Sequence, residues 1–163
     1  MSSGEGAGIG FSTMRGRNYP SLRQFTVFLE NRVGQLLELV RRFEQTNLRI
    51  CAISILDSTD CSFVRFVLSK PEQGREILER AGLPLVESDL VGVELPEGTQ
   101  PILQVCTALL QAELNIIHAY PLLIRPRNRA ALALRVDNVD LALETLTGKG
   151  FTLLTEADLA EEE

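Results

Sequence analysis

A short loop of the sequence combines the residue types that favour binding of a small anion at the start of a helix. The alternating stretch 25–29 is followed by residues 30–36, which read ENRVGQL. Free backbone N–H groups at a helix start, together with the positive end of the helix dipole, favour a carboxylate. Asn31 can cap the helix or hydrogen-bond a ligand, and Gly34 allows close approach because it has no Cβ. The same pattern is typical of a structural N-cap and turn glycine, so these residues alone leave both interpretations open.

The other reactive side chains do not form a catalytic pattern. His118 is the only histidine and lies near Tyr120, so it cannot belong to a multi-histidine metal site, and a structural or ligand-contact role is favoured. Cys106 lies on the apolar side of a predicted helix and is expected in the core, whereas Cys51 and Cys61 have no activating partner in the sequence. Because no nucleophile–base pair, phosphate loop or metal-ligand cluster is present, we predict no enzyme activity, no cofactor and no metal.

Charge and cysteine content narrow the class of partner. The net charge is −6, with 22 acidic against 16 basic residues, which argues against nucleic acid and against an anionic membrane surface. Three cysteines without a paired spacing fit a reducing compartment. No apolar run is long enough to cross a membrane. The sequence therefore predicts a cytoplasmic protein.

The elements that position the loop occur twice, at an offset of 66 to 68 residues. Apolar residues alternate in 25–29 and again in 91–95, and both segments are predicted strands. An amphipathic helical spacing follows in each copy: Leu36, Leu39, Val40 and Phe43 in the first, and Ile102, Val105, Cys106 and Leu109 in the second. Duplication at this length indicates two small units that gain stability by packing together.

The remainder of each copy repeats the same order of elements. Second and third strands are predicted over 49–57 and 62–68, then over 115–124 and 130–136. Second helices over 72–81 and 140–149 each end at a glycine, Gly82 or Gly150, and last strands follow over 83–86 and 151–154. The two extra residues of the second copy fall in the turn-like loop 125–128.

This order predicts an α+β fold of two ferredoxin-like βαββαβ units in tandem, with antiparallel sheets and helices on one face. We expect the two sheets to join edge to edge, as eight strands. The predicted divisions are a flexible extension over 1–21, a first unit over 22–89, a second unit over 90–159 and an acidic tail over 160–163.

The segment 28–36, followed by Asn47 to Ile50, resembles the ACT domain, in which an acidic residue or Asn, two residues and Gly separate the first strand from the first helix. The second copy adds segments 114–120 and 134–137 and the pair Gly150–Phe151. ACT domains typically bind amino acids or similar small molecules between two copies and regulate enzymes or transcription. The resemblance therefore implies a non-enzymatic, amino-acid-binding regulatory protein, built as a free-standing sensor.

The resemblance also implies a site, because in the family the first loop of one copy faces the second strand of its partner copy. The implied ligand-binding residues are Asn31, Arg32, Val33, Gly34, Gln35, Leu36, Ile117, His118, Ala119 and Tyr120. A possible second site would use Ala52, Ile53, Ser54 and Gly98. The second loop departs from the pattern, because Glu97 and Gln100 stand where the first loop has Asn31 and Gly34. We therefore expect at most one good site per chain.

Two other functions remain as alternatives. A structural or partner-binding module with a degenerate ligand site would fit the altered second loop. An RNA-binding protein on the same fold is disfavoured by the charge, and because Phe63 and Phe66 fall on opposite faces of one strand. Exposed sheet edges invite pairing between chains, so a homodimer is expected.

Overall fold

The protein is described here from a computed structural model, which covers residues 19–161. The strands are β1 (Leu22–Glu30), β2 (Ile50–Asp57), β3 (Cys61–Leu68), β4 (Leu85–Glu94), β5 (Ile116–Pro121) and β6 (Ala131–Val136). The helices are α1 (Gln35–Arg41), α2 (Pro71–Arg80), α3 (Pro101–Gln111), α4 (Val139–Gly148) and α5 (Glu156–Ala160). Most of the predicted N-terminal extension, and Glu162 and Glu163 of the predicted tail, lie outside the described residues. Within residues 19–161, no helix is long and apolar enough to cross a membrane.

The first repeat forms the predicted unit, with α1 and α2 on one face of an antiparallel sheet. Strand β1 pairs with β3 on one side and with the first half of β4 on the other, and β2 pairs with β3. Alternate residues of β1 and β3, such as Phe25 and Phe66, are fully buried beneath the helices, where the Phe66 ring meets Phe43 edge-on at 5.8 Å. The predicted opposite facing of Phe63 is confirmed, since its ring contacts Phe28 on the other face.

The two repeats share one strand. The structure replaces the two separate strands predicted over 83–86 and 91–95 with the single strand β4. Its first half pairs with β1, from Leu85 opposite Val27 to Leu90 opposite Leu22, and its second half pairs with β6. The expected domain boundary between residues 89 and 90 falls inside this strand. Continuing one strand satisfies backbone groups that a turn would leave to water or side chains, and neither glycine nor proline occurs over 85–91.

The second repeat has the same layout but lacks a full fourth strand. The segment predicted as a strand over 151–154 makes only an isolated bridge, Leu153 to Val93, with hydrogen bonds from Leu154 N to Gly92 O at 2.8 Å and from Glu94 N to Thr152 O at 2.9 Å. The chain then turns into helix α5. Over residues 19–161 the sheet therefore contains six strands, in the order β2-β3-β1-β4-β6-β5, instead of the eight expected.

The sheet curls until its two edge strands meet. Leu123, just after β5, donates its N–H to the Cys51 carbonyl of β2 at 2.7 Å. The face without helices is thereby enclosed and forms a second core. This core contains residues from both repeats: Leu22, Cys51, Ala52, Val67, Leu90, Tyr120, Ala131, Ala133, Leu154 and Leu159. The repeats are thus joined by a continuous sheet and by a common interior.

The structure buries Cys51 and exposes Cys106, and this decides the predictions for both cysteines. Cys51 is fully buried, and burial raises the pKa of its thiol to about 11, which makes it an inert core residue. The prediction that Cys106 is core is wrong, because its side chain is exposed. Helix α3 buries Val105, Ala108 and Leu109 instead. Since α3 is apolar on nearly all sides, spacing alone did not identify the buried face.

Gly92 tests how tightly the two repeats pack. A Cβ at this position would lie 2.5 Å from Leu22 Cδ1 and 3.1 Å from Leu154 Cβ, both on fully buried side chains. We expect Gly92→Ala to lower the free energy of unfolding by about 1–3 kcal/mol through overpacking, measured by urea denaturation. Gly148→Ala, where nothing lies within 4 Å of the added Cβ, is the control and is expected to be neutral or stabilising. Equal effects of the two variants would contradict this tight packing.

Candidate functional site

The first loop adopts a conformation that depends on its glycine. Gly34 has φ +87° and is the N-cap of α1, without a side-chain cap. The alternative that Asn31 caps this helix is therefore wrong, because the αL turn at Gly34 moves the helix start three residues beyond it. Arg32 pairs with Glu30 at 2.8 Å, and Val33 is fully exposed. A Cβ added at Gly34 would have no neighbour within 4 Å. Glycine is therefore required by the left-handed backbone conformation at this position and not by close packing.

Strand β5, which was predicted to face this loop, instead contacts β1 near its start. The Tyr120 hydroxyl donates to Gln24 Oε1 at 2.7 Å, and His118 Nε2 lies 3.1 Å from the same oxygen. Because an amide oxygen only accepts, His118 Nε2 carries the hydrogen. Gln24 is itself buried and donates through Nε2 to Ser88 Oγ at 3.3 Å. His118 and Tyr120 therefore hold the two repeats together through a buried amide.

The structure does not bring the first loop and β5 together within one chain. His118 and Tyr120 contact Gln24 near the start of β1, whereas the loop follows its end at Glu30. Seven residues of strand between Gln24 and Asn31 span about 23 Å. Ile117 and Ala119 are exposed on the other side of β5. Ligand binding by residues 31–36 together with β5 stays a prediction, and would need a second chain to complete it.

The residues of the possible second site are also separated. Ala52 packs in the shared core, and Ser54 lies farther along β2. Gly98, with φ +128°, lies against Gln104, and Pro101 is the first residue of α3. The Glu97 carboxylate is paired with the Arg129 guanidinium at 3.0 Å, so it is not an isolated negative charge.

A different region forms a cleft between the repeats. It has a volume of about 710 Å³. Its walls come from the residue before β2, from the loop between β5 and β6, and from α5 with the residue that follows it: Arg49, Leu123, Ile124, Arg125, Pro126, Arg127, Asn128, Asp158 and Glu161. The loop is the one that carries the two extra residues of the second copy. Arg127 and Asn128 have φ values of +53° and +61°, a left-handed pair that side chains rarely adopt.

Both signs of charge line this cleft. Arg127 pairs with Asp158 at 2.7 Å and with Glu94 at 3.5 Å, and the pKa of Arg127 is raised because these carboxylates outweigh the effect of burial. Arg49 donates to the carbonyls of Leu159, at 3.2 Å, and of the residue that follows α5.

Two charged side chains of the cleft have no partner among the described residues. Arg125 and Glu161 form neither an ion pair nor a side-chain hydrogen bond, whereas Arg49, which also lacks an ion pair, donates to two backbone carbonyls. The cleft thus presents a cation and an anion whose side chains are available to a ligand.

The sequence pattern predicts a turn-like loop over 125–128 and no helix at α5. The change of the repeat offset from 66 to 68 residues marks this loop as a place where the second copy differs from the first. For α5 the signal was Thr155 followed three residues later by Asp158, which form a capping box with bonds of 3.1 and 2.7 Å.

Comparison with solved structures supports the fold. A protein from Bacteroides thetaiotaomicron, BT0572, superposes with a TM-score of 0.78 at 25% sequence identity, covering 88% of this chain and 99% of that one. The regulatory subunit of aspartate kinase from Thermus thermophilus, in its ligand-free form, superposes with a TM-score of 0.54 at 11% identity, covering 81% and 94%. The corresponding subunit from Thermus flavus has a TM-score of 0.51 at 10% identity, covering 80% and 92%.

These similarities define a pair of ferredoxin-like βαββαβ units of the ACT type. The family model described as an ACT domain pair matches residues 21–162, and the chain belongs to that family. Among curated proteins, none matches the chain.

The environment of His118 predicts an unusual titration. Burial, with the charges of Arg65 and Arg135, lowers the pKa of His118 from 6.5 to about 4. Since the folded state binds the proton more weakly than the unfolded state, stability is lost as the pH falls from 6.5 towards 4. We expect the NMR titration of this single histidine to have its midpoint near pH 4. The free energy of unfolding of His118→Gln should fall less over that range. A midpoint near 6.5 would contradict the described contacts.

Proposed function

We propose that the protein is a non-enzymatic regulatory protein that binds a small amino acid in the cleft between its two repeats. Membership of the ACT domain pair family supports a small-ligand regulatory role. The observation on which the ligand rests is the pair of unpaired charges, Arg125 and Glu161, in one cleft. An α-amino acid carries a carboxylate and an ammonium group and matches this pair.

The arginines of the cleft provide the carboxylate partner. A guanidinium binds a carboxylate through two parallel N–H bonds, and the Arg125 guanidinium has no competing carboxylate among the described residues. The backbone turn at Arg127 and Asn128 sets the direction of this loop. The Glu161 carboxylate supplies acceptors for the ammonium group.

The remaining wall favours a side chain of modest size. Leu123, Ile124 and Pro126 contribute apolar surface to the cleft. A volume of about 710 Å³ lies within the range of small-molecule sites. Both repeats contribute, through Arg49 before β2 and through the β5–β6 loop, so a bound ligand would stabilise their contact.

The related structures give this proposal a context. Two of them are, by their descriptions, regulatory subunits of aspartate kinase. At 10–11% identity they share the fold with this chain, and the ligand proposed here rests on this chain's own residues.

We also propose that the chain forms a cytoplasmic homodimer through β2. Ile55 and Leu56 are half-exposed, and Leu37 on α1 is 58% exposed. Beyond Cys51, no described strand pairs with the outer edge of β2. An edge with exposed apolar side chains favours pairing with another copy.

A thermal-shift screen against the common amino acids tests the proposed ligand. At a hundredfold excess over Kd, a ligand that binds only the folded state should raise Tm by about 5 °C or more. Arg125→Gln should remove most of this shift, because the carboxylate loses its partner. Arg32→Gln, the same change in the first loop, is the matched control and should keep the shift. No shift with any amino acid at millimolar concentration would count against amino-acid binding. Loss of the shift only in Arg32→Gln would move the site to the first loop.

Light scattering after size exclusion tests the dimer. The native chain is expected to elute with twice the mass of one chain. Ile55→Glu should reduce it to a monomer, because a charge on the edge strand opposes pairing. Leu141→Glu, a similar change on α4, should leave the dimer intact. A monomeric native chain would refute the assembly.

A further inference from the structure

Two arginines approach each other where the repeats meet. Arg65 lies in the middle of β3, directly opposite Thr26 of β1 and Ser54 of β2. Its neighbours Val64 and Phe66 face the helices, so Arg65 lies on the face without helices. Arg135 of β6 lies directly opposite His118 of β5. Thr26, opposite Arg65, lies 3.5 Å from the Gln24 amide, and His118 Nε2 lies 3.1 Å from the oxygen of that amide. Both arginines therefore lie near His118, and burial with their charges lowers the pKa of His118.

Neither arginine has an acidic partner among the described residues. Both are half-buried, and Arg135 donates only to the backbone carbonyl of Val136, at 3.1 Å. Asp137, two residues farther, accepts the Asn115 N–H at 3.1 Å at the strand end. Half-buried cations are ordinarily paired, as Arg75 is with Glu87 at 2.9 Å.

Among the described residues, the other groups that contact His118 or the amide to which it bonds are neutral. They are Gln24 and Thr26 on β1, Ser88 on β4 and Tyr120 on β5. Gln24 is held by Ser88 and Tyr120, so the position of the imidazole is fixed. Thr26 and Ser54 lie directly opposite Arg65 on the neighbouring strands, and Ser88 lies opposite Gln24, one strand farther. The result is a set of hydrogen-bond donors with an uncompensated positive charge.

We propose that Arg65, Arg135 and His118 form a binding site for a small oxyanion, a carboxylate or phosphate group, at the junction of the repeats. The two guanidinium groups would share the anion, and the bound anion would raise the pKa of His118. This site shares no residue with the cleft lined by Arg125, and it does not depend on amino-acid binding there. An anion would join β3 of one repeat to β5 and β6 of the other.

The single histidine is a direct probe of this site. An anion placed within about 4–6 Å should raise the pKa of His118 by about one pH unit or more. The titration is followed by NMR in sodium sulfate, because sulfate keeps its charge throughout the range. Sodium chloride at matched ionic strength is the control, since screening alone also weakens the repulsion from the arginines. At pH 7, inorganic phosphate and succinate are added in separate titrations, and the change in the His118 chemical shift is followed. The anion that saturates this change at the lower concentration identifies the preferred class, phosphate or carboxylate.

Two matched variants separate binding from screening. Arg65→Gln should raise the pKa of His118 without any anion, and should reduce the additional response to sulfate at least threefold. Arg80→Gln removes the same charge from an exposed position at the end of α2 and should behave as the native chain. Equal responses to sulfate and chloride in the native chain would overturn the proposal. So would a full sulfate response in Arg65→Gln.

Discussion

The guanidinium of Arg23 connects the C-terminal helix to the first repeat. Arg23 is 4% exposed and donates to both carboxylate oxygens of Glu156, at 3.1 and 2.8 Å. It also pairs with Glu72 of α2 and lies 3.5 Å from Glu87 of β4. Burial alone would lower the pKa of Arg23, but its hydrogen bonds to Glu156 and Glu72 raise it above its usual range. Loss of Glu156 would remove two hydrogen bonds from this buried cation, which is destabilising.

The cleft between the repeats depends on this interaction. Helix α5 has five residues, too few to be stable in isolation. Its place is fixed by Glu156 at one end, by buried Leu159 in the shared core, and by Arg49 at its C-terminal carbonyls. Asp158 and Glu161 therefore reach the cleft only because Arg23 and Arg49 hold the helix. Two arginines of the first repeat, Arg23 and Arg49, thus position the acidic side of the proposed ligand site.

Most secondary structure could be predicted, because it follows from local patterns. The second helices and the third strands agree with prediction to within a residue, and Gly82 and Gly150 have the left-handed φ values of +72° and +87° expected at helix ends. The continuous strand β4 could not be predicted from local patterns, since its first half pairs with β1, 58 to 68 residues earlier, and its second half with β6, 37 to 43 residues later.

The site was predicted less well for a similar reason. The loop 31–36 is locally recognisable, but what lies opposite it depends on how the sheet curls. Residues such as Gln24 and Arg65 have no local signature, and their roles come from contacts between repeats. From the sequence alone, a half-buried arginine on a strand cannot be distinguished from an arginine on the surface.

Strand β4 also limits how this duplicated chain can diverge. Leu90 and Val91 are adjacent and both fully buried, Leu90 in the shared core and Val91 beneath the helices of the second repeat. Inserting one residue between them would turn every later side chain of the strand to the opposite face. Length changes at the junction are therefore permitted only in steps of two, whereas the loop 125–128 has room to vary. Variation in length is therefore expected in the cleft loop and not at the junction of the two repeats.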